Sequence, residues 1–434
     1  MRAALCCLLL LPPAAAIAQV PSYETLELQA RTNLIVNGPS FNLPDGSSFN
    51  SVTVSLDELA QVAFKVQILP GTNAAGVWFG GGGVGSIRCQ SEDVVDVFIT
   101  DVHLDGAGGI VFGQTGGNIN GLYRCDPSVP AASLLTAQPL GTTSWGTPRG
   151  ASDSSVGYRA SFGSGRAWVS FAAGQARIHA AEETIQPGSG VGFLFTPAYG
   201  ESGRIAGKVQ VLAAGPVPQH DEIQLIDSQG AVTTLATQVA VDPNSPFTGF
   251  DNSVALGPDD QVAFIANRVG GGRGVFRVRA GQAAEPLALT GVDGLVEIEF
   301  FGPAINADGL VAFRGRDAAG QAVFVADGSS LGKVISQGDE VPSDLGTAQI
   351  GQNDASTVFG GGVAINSAGD VAFIQDRDVE QHPSGLSRQL SGFMRDIGRV
   401  FGGTGNPRLP VLAIAPRPRP ENTCSGPPAS AWRT

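Results

Sequence analysis

Lysine is almost missing: Lys65, Lys208 and Lys333 are the only three in 434 residues. Arginine does not make up the deficit, and 26 basic against 39 acidic side chains leave a formal net charge of −13. A chain this acidic offers no cationic surface to a phosphate backbone, so no nucleic-acid partner is expected. Histidine is as scarce, with His103, His179, His220 and His382 the only four. Long hydrophobic runs are missing beyond the N-terminus. No stretch reaches the roughly 20 uninterrupted apolar residues of a membrane-spanning helix, so no transmembrane segment is expected in the mature chain. No segment carries a long capped apolar stripe of helical period either, and few helices are expected.

What is present is the composition of strands and turns. Glycine (60) and proline (28) are frequent and charged residues make up only 15% of the chain. Short Val/Ile/Phe/Leu runs alternate with Gly, Asp, Asn and Ser clusters. Residues 1–18 read as a secretory signal peptide: Arg2, then an apolar run from Ala3 to Leu11, then small residues at Ala16-Ile17-Ala18. Cys6 and Cys7 lie inside that run, too early for a lipoprotein cysteine. Cys89, Cys125 and Cys424 would remain after cleavage. In an oxidising compartment Cys89 and Cys125 could bridge the first two repeats; otherwise they are small buried hydrophobes with free thiols.

The repeats are the strongest signal. Asn306-Ala-Asp-Gly-Leu-Val-Ala-Phe313 recurs as Asn366-Ser-Ala-Gly-Asp-Val-Ala-Phe373, with weaker copies ending at Phe64, Phe112 and Phe264. Tyr158 and Gly207 occupy the same position in two eroded copies, giving spacings of 48, 46, 49, 57, 49 and 60 residues. In the best-preserved unit Asn306 can bond its own backbone and Gly309 supplies the positive φ of a tight turn. Val311 and Phe313 then face one side of a strand and Ala312 the other. A small apolar residue there implies that both faces are covered, so the unit must stack on its copies. Third-strand signals follow at Val77-Trp78-Phe79, Leu122-Tyr123, Trp168-Val169, Ile223–Leu225, Val275-Phe276 and Val323-Phe324, with Gly392-Phe393-Met394 after the last anchor.

The fold class expected is all-β: a seven-bladed β-propeller of four-stranded antiparallel blades over residues 19–404. Glu24–Arg31 resembles a lone fourth strand that could complete the last blade and close the ring; the alternative is a mere leader. From about Gly405 a run of prolines and arginines reads as a disordered tail, residues 405–434.

The Asn-x-x-Gly-x-x-Ala-Phe unit resembles that of a family of exported bacterial tandem-repeat proteins named for this motif, whose members end in varied surface-sorting signals. The resemblance spans roughly residues 23–375 and is complete at Asn306/Gly309/Ala312/Phe313 and Asn366/Gly369/Ala372/Phe373. It departs at Tyr158 and Gly207, and at the end, where no anchor is visible. It implies export and a propeller-like ring, and no reaction.

Several patterns imitate chemistry. Gly80-Gly-Gly82-Gly-Val-Gly85 has dinucleotide-loop spacing but leads into strand-like residues rather than a helix, so a hairpin loop and no cofactor are expected. Gly328-Ser329-Ser330-Leu331-Gly332 has the spacing of a nucleophile elbow but lies between two strands, where a turn is expected. The adjacent pairs Glu182-Glu183, Asp221-Glu222 and Asp259-Asp260 point to opposite faces of any strand and do not converge. His220 beside Asp221 and Glu222 is the polar cluster singled out, on an eroded repeat, as a weak metal candidate. No catalytic, cofactor-binding or metal residue is assigned. The reading is an exported, extracellular, cell-surface or periplasmic binding or scaffold protein with a surface polysaccharide or protein as partner. The alternative is a secreted carbohydrate-active hydrolase or lyase with carboxylates at one end of the channel.

Overall fold

The computed structural model describes residues 19–32, 41–49, 53–68, 75–89, 98–115, 120–126, 128, 132–137, 142–201, 203–344, 346–351, 358–379 and 395–403. The expected signal peptide, the insertion with His382 and Pro383, Gly392–Met394 and the 405–434 tail lie outside these residues. Among the described residues the only helix is the 3-10 turn Pro258–Asp260. Everything else regular is strand, and every paired strand is antiparallel to its neighbour within its sheet. The molecule is a β-propeller.

Six blades are each built from one contiguous stretch. The sixth illustrates them, apart from the fifth, whose inner edge is the single strand Phe247–Leu256. The inner edge of the sixth is two short segments, Glu297–Ile298 and Ala304–Ile305, both paired with Val311–Asp317. Gly320–Ala326 and Leu331–Ser336 follow outward, so the blade is four strands deep. The first blade runs from Ser47 to Arg88, the second from Phe98 to Ala137, the third from Thr142 to Ala181, the fourth from Val191 to Thr237 and the fifth from Phe247 to Leu289.

The expectation of seven equivalent blades is corrected to six. Beyond the sixth blade lies a composite sheet drawn from both chain ends. Phe359–Ile365 and Gly346–Ile350 pair with Val371–Val379, which pairs with Arg395–Gly403, which pairs with Ser22–Arg31. The third strand of this sheet is therefore Arg395–Gly403, just beyond the segment expected from the sequence. Among the described residues the last repeat carries no outer strand of its own, and the N-terminal strand takes that place. Arg31 is anchored there by Asp344 at 2.7 Å, and the Tyr23 hydroxyl donates to the Gly369 carbonyl at 3.0 Å. Glu24–Arg31 is thus a clasp rather than a leader.

The repeat motif explains the packing. The Asn306 side-chain oxygen accepts from the N–H groups of Asp308 and Leu310, at 3.1 and 2.9 Å, and Gly309 has φ +83°. Asp57 and Asp105 make the same turn in weaker copies, each accepting two backbone N–H groups. The amide of each motif Asn then reaches onward: Asn306 donates to the Asn366 carbonyl at 2.9 Å, and Asn366 to the Asp57 carbonyl at 3.1 Å. The turn of the sixth blade is thus tied to that of the composite sheet, and that one to the turn of the first blade.

Val311 and Phe313 pack with Ala263 and Ile265 of the fifth blade, while Ala312 packs with Val371 and Phe373 of the composite sheet. Ala372 and Ile374 pack in turn with Val62 and Phe64 of the first blade, closing the ring. Each fully buried Phe contributes about 1.5–3 kcal/mol of transfer free energy. Phe313 also stacks on Phe324 at 5.6 Å, and Phe264 on Phe276 at 5.7 Å, which adds to burial.

The eroded copies follow a different rule. At Gly207 a Cβ would meet the Trp168 ring at 2.5 Å, and at Gly157 it would collide with Tyr199. Large side chains from neighbouring strands occupy the space that motif residues fill elsewhere. Cys89 and Cys125 are bridged with Cα atoms 6.0 Å apart, and their core cluster joins the first and second blades.

Candidate binding channel

The second segment of each inner strand lines the central channel. Its registration is uniform: Ser55 lies opposite Ala63, His103 opposite Val111, Arg149 opposite Gly157, Ala198 opposite Ala206, Ala255 opposite Ala263, Ala304 opposite Ala312 and Ala364 opposite Ala372. All of these inner residues line one cavity of about 140 Å³. They form a ring of equivalent positions. Four are alanine and three, on consecutive blades, are polar. The other lining residues include Leu56, Val254, Leu256, Ile305, Val363 and Ile365, with Tyr199.

The three polar residues present donors. The backbone N–H of Gly150 donates to His103 Nδ1 at 3.3 Å, so the ring proton of a neutral imidazole sits on Nε2. Burial, and then the Arg149 charge, push the His103 pKa down to about 3. The Ser55 oxygen accepts from the Leu104 N–H at 3.0 Å, and its own proton goes to no described acceptor. Burial lowers the Arg149 pKa from its ordinary value, with Asp101 opposing the shift; a guanidinium nonetheless stays charged. No described residue makes a hydrogen bond or ion pair with the Arg149 side chain. Asp101 is already engaged by Lys65 at 2.7 Å and by the Thr53 N–H at 3.1 Å.

Other cations contrast with Arg149. Lys65, Arg159, Lys208 and Arg314 each follow an anchor position and reach the inner edge of the next blade. Lys208 donates to the Phe250 carbonyl at 2.9 Å, Arg314 to the Gly361 carbonyl at 2.7 Å and Arg159 to the Leu194 carbonyl at 3.5 Å; Lys65 pairs with Asp101. Arg314 also pairs with Glu299, whose pKa burial raises despite that partner. These four staple blade to blade. Arg149 does not.

The residues singled out in the sequence lie elsewhere and are used structurally. His220 Nε2 meets Glu222 at 3.2 Å and Nδ1 meets the Pro218 carbonyl at 2.9 Å, whereas Asp221 pairs with Lys208 at 3.0 Å. The strand alternation thus separates Asp221 from the other two. Among the described residues no group of three or more His, Cys, Asp or Glu could hold a metal ion. Glu182 pairs with Arg166 at 3.2 Å. Glu183 accepts from the N–H groups of Gly188 and Gly190, which lower its pKa. Asp260 pairs with Arg204. Gly80–Gly85 is the hairpin joining Ala75–Gly81 to Val84–Arg88. Ser329 and Ser330 sit in a turn where their N–H groups donate to Asp327, each at 2.7 Å.

Sequence reasoning passed over Ser55, His103 and Arg149, although a signal was there. Each lies nine residues before a repeat anchor, where the other copies have alanine. The motif drew attention to the recurrent spacing downstream of the turn, and the channel position lies upstream of it.

No family model matches the chain, and no curated protein matches it. Among solved structures the chain is similar to a puromycin-hydrolysing peptidase of Mycobacterium tuberculosis, with 14% identity and a TM-score of 0.44 over 83% of this chain and 52% of that one. It is similar to the β-propeller domain of the Trilobed protease from Pyrococcus furiosus, with 9% identity and a TM-score of 0.46 over 76% and 92%. An oligogalacturonate lyase in complex with manganese gives 11% identity and a TM-score of 0.48 over 79% and 86%. The chain spans about half the length of the mycobacterial peptidase. At such identities none of these activities transfers to it.

Proposed function

We propose that the chain is an exported β-propeller binding or scaffold module whose ligand engages the central channel, with a surface polysaccharide or protein as the larger partner. The observation that carries this reading is the broken symmetry of the channel ring. Packing alone asks for a small apolar residue opposite the motif alanine, and Ala198, Ala255, Ala304 and Ala364 obey. Ser55, His103 and Arg149 do not, and an enclosed unpaired guanidinium costs stability that a ligand would return. The Cys89–Cys125 bridge supports an oxidising compartment, and the character of residues 1–18 supports export. Membership in the Asn-x-x-Gly-x-x-Ala-Phe family belongs to the same proposal. Glycoside hydrolysis needs two facing carboxylates; among the described residues lining this cavity there is no Asp or Glu, which favours binding over that chemistry there.

The test fills the channel from its apolar side. Ala304→Leu adds bulk without touching the polar arc. Glycan-array and surface-protein capture by the full chain is expected to fall at least tenfold in this variant. Capture unaffected by filling would remove the channel from the reading.

A further inference from the structure

We infer that the channel holds a small monocarboxylate of about six non-hydrogen atoms, which deepens and rests on the reading of the channel as a binding site. Three features of the cavity select this class.

Charge comes first. Arg149 has no partner among the described residues, and Asp101, the acid that acts on it, is already shared between Lys65 and the Thr53 N–H. Among the described residues the ring therefore holds a positive charge with no bonded counter-ion, which a bound anion would supply. A guanidinium presents paired N–H groups in the fork that matches a carboxylate.

The second feature is the sense of the neighbouring hydrogen-bonding groups. His103 Nδ1 is occupied as an acceptor by the Gly150 N–H, which leaves Nε2–H as a donor. Ser55 accepts from the Leu104 N–H, which leaves its hydroxyl proton to give. Arg149, His103 and Ser55 all line the same cavity. These three side chains offer donors and no described lining residue is acidic, which suits an acceptor-only ligand group. An ionised carboxylate is one; an amide, an alcohol or an ammonium is not.

Size and the apolar lining complete the class. The cavity is about 140 Å³, close to a cavity of about 150 Å³ that accepts a benzene-sized guest. Val254, Leu256, Ile305 and Ile365 line the same cavity and supply hydrocarbon that inorganic phosphate would not use. A carboxylate with a short hydrocarbon tail satisfies the donors and the apolar lining at once.

The experiment is calorimetric titration of the full chain with butyrate, butyramide and inorganic phosphate, beside Arg149→Gln and Ala304→Leu. Butyrate is expected to bind at least tenfold more tightly than butyramide, which has the same size without the charge, and more tightly than phosphate. Arg149→Gln is expected to lose at least tenfold in butyrate affinity while its thermal unfolding midpoint holds or rises, because an unpaired enclosed charge has gone. That midpoint separates lost binding from lost folding. Equal affinities for butyrate and butyramide, or butyrate binding indifferent to Arg149→Gln, would overturn the anion and leave the channel as a neutral site. Phosphate binding tighter than butyrate would overturn the hydrocarbon tail. If no probe binds while wild type captures a larger partner that Ala304→Leu loses, the carboxylate inference fails and the channel reading survives. If Ala304→Leu changes neither, both fail.

Discussion

In the arc from the fifth blade to the composite sheet, each interface takes its large side chain from the repeat motif. Phe313 packs with Ala263, and Phe373 with Ala312. Between the third and fourth blades the large side chains come from other strands: Tyr199 from an inner segment and Trp168 from a third strand, both in one cluster with Leu194 and Ile205. The motif positions facing them, Gly157 and Gly207, have given up their side chains to make room. The two solutions bury comparable rings, so erosion of the motif is not erosion of the core. The channel does not follow this difference. The motif arc is lined by alanine, but so is the exchanged fourth blade at Ala198, while Ser55 and His103 lie on blades that keep Phe64 and Phe112. Volume conserved by exchange across an interface frees individual core positions; the polar channel residues vary independently of it.

The largest expected effect breaks the motif arc. Phe313 is fully buried and stacks on Phe324. Phe313→Ala should destabilise by roughly 3–5 kcal/mol, read from urea unfolding, since both adjoining sheets are held by other contacts and cannot collapse into the hole. A loss below about 1 kcal/mol would mean that the interfaces repack freely and that the motif is not the core device described.

A smaller effect tests the exchanged arc. Gly157→Ala restores the motif residue but drives its Cβ into the Tyr199 ring, at a cost of about 2 kcal/mol of overpacking. Tyr199 also bonds the Ser155 hydroxyl at 2.9 Å, so it cannot swing away without losing a partner. In the double variant with Tyr199→Leu the alanine should become neutral or favourable, and the coupling between the two changes should exceed about 1 kcal/mol. Simple additivity would show that the two residues do not compete for one space.

The sequence made the regular arc legible because its information is local. Asn306, Gly309 and the Val311-Ala312-Phe313 triplet specify turn, strand and both faces within eight residues. The clasp was legible too, since Glu24–Arg31 is a strand with no local partner. Blade number was not, because the composite sheet joins segments more than 300 residues apart and spacing cannot say which end supplies which strand. The channel was legible only in retrospect. Arg149 and Lys208 are both isolated cations in strand-like surroundings, and nothing local tells that one meets the Phe250 carbonyl while the other meets no described partner. That distinction depends on the neighbouring blade, which pattern reading does not see.

The mildest perturbation of the comparison is protonation, and it acts on the polar arc alone. His103 has an ordinary pKa of 6.5 but is held at about 3, mainly by burial and then by Arg149. The facing charges are Arg149 and Asp101, the latter paired with Lys65. Because the native value lies below the unfolded one, the unfolded chain takes up a proton on falling through 6.5 while the native ring refuses it. The stability tied to neutral His103 is therefore complete above that pH and drains away as pH falls towards 3. Comparing unfolding midpoints near pH 7.5 and near pH 4.5, wild type should lose on the order of 1 kcal/mol more than His103→Gln, which cannot take up that proton. Arg149→Gln should lift the His103 titration only part of the way, since burial is the larger cause. Wild type and His103→Gln falling in parallel would mean that His103 already titrates freely in the ring. The polar arc would then be as open to water as any surface loop, and its contrast with the alanine arc would reduce to composition.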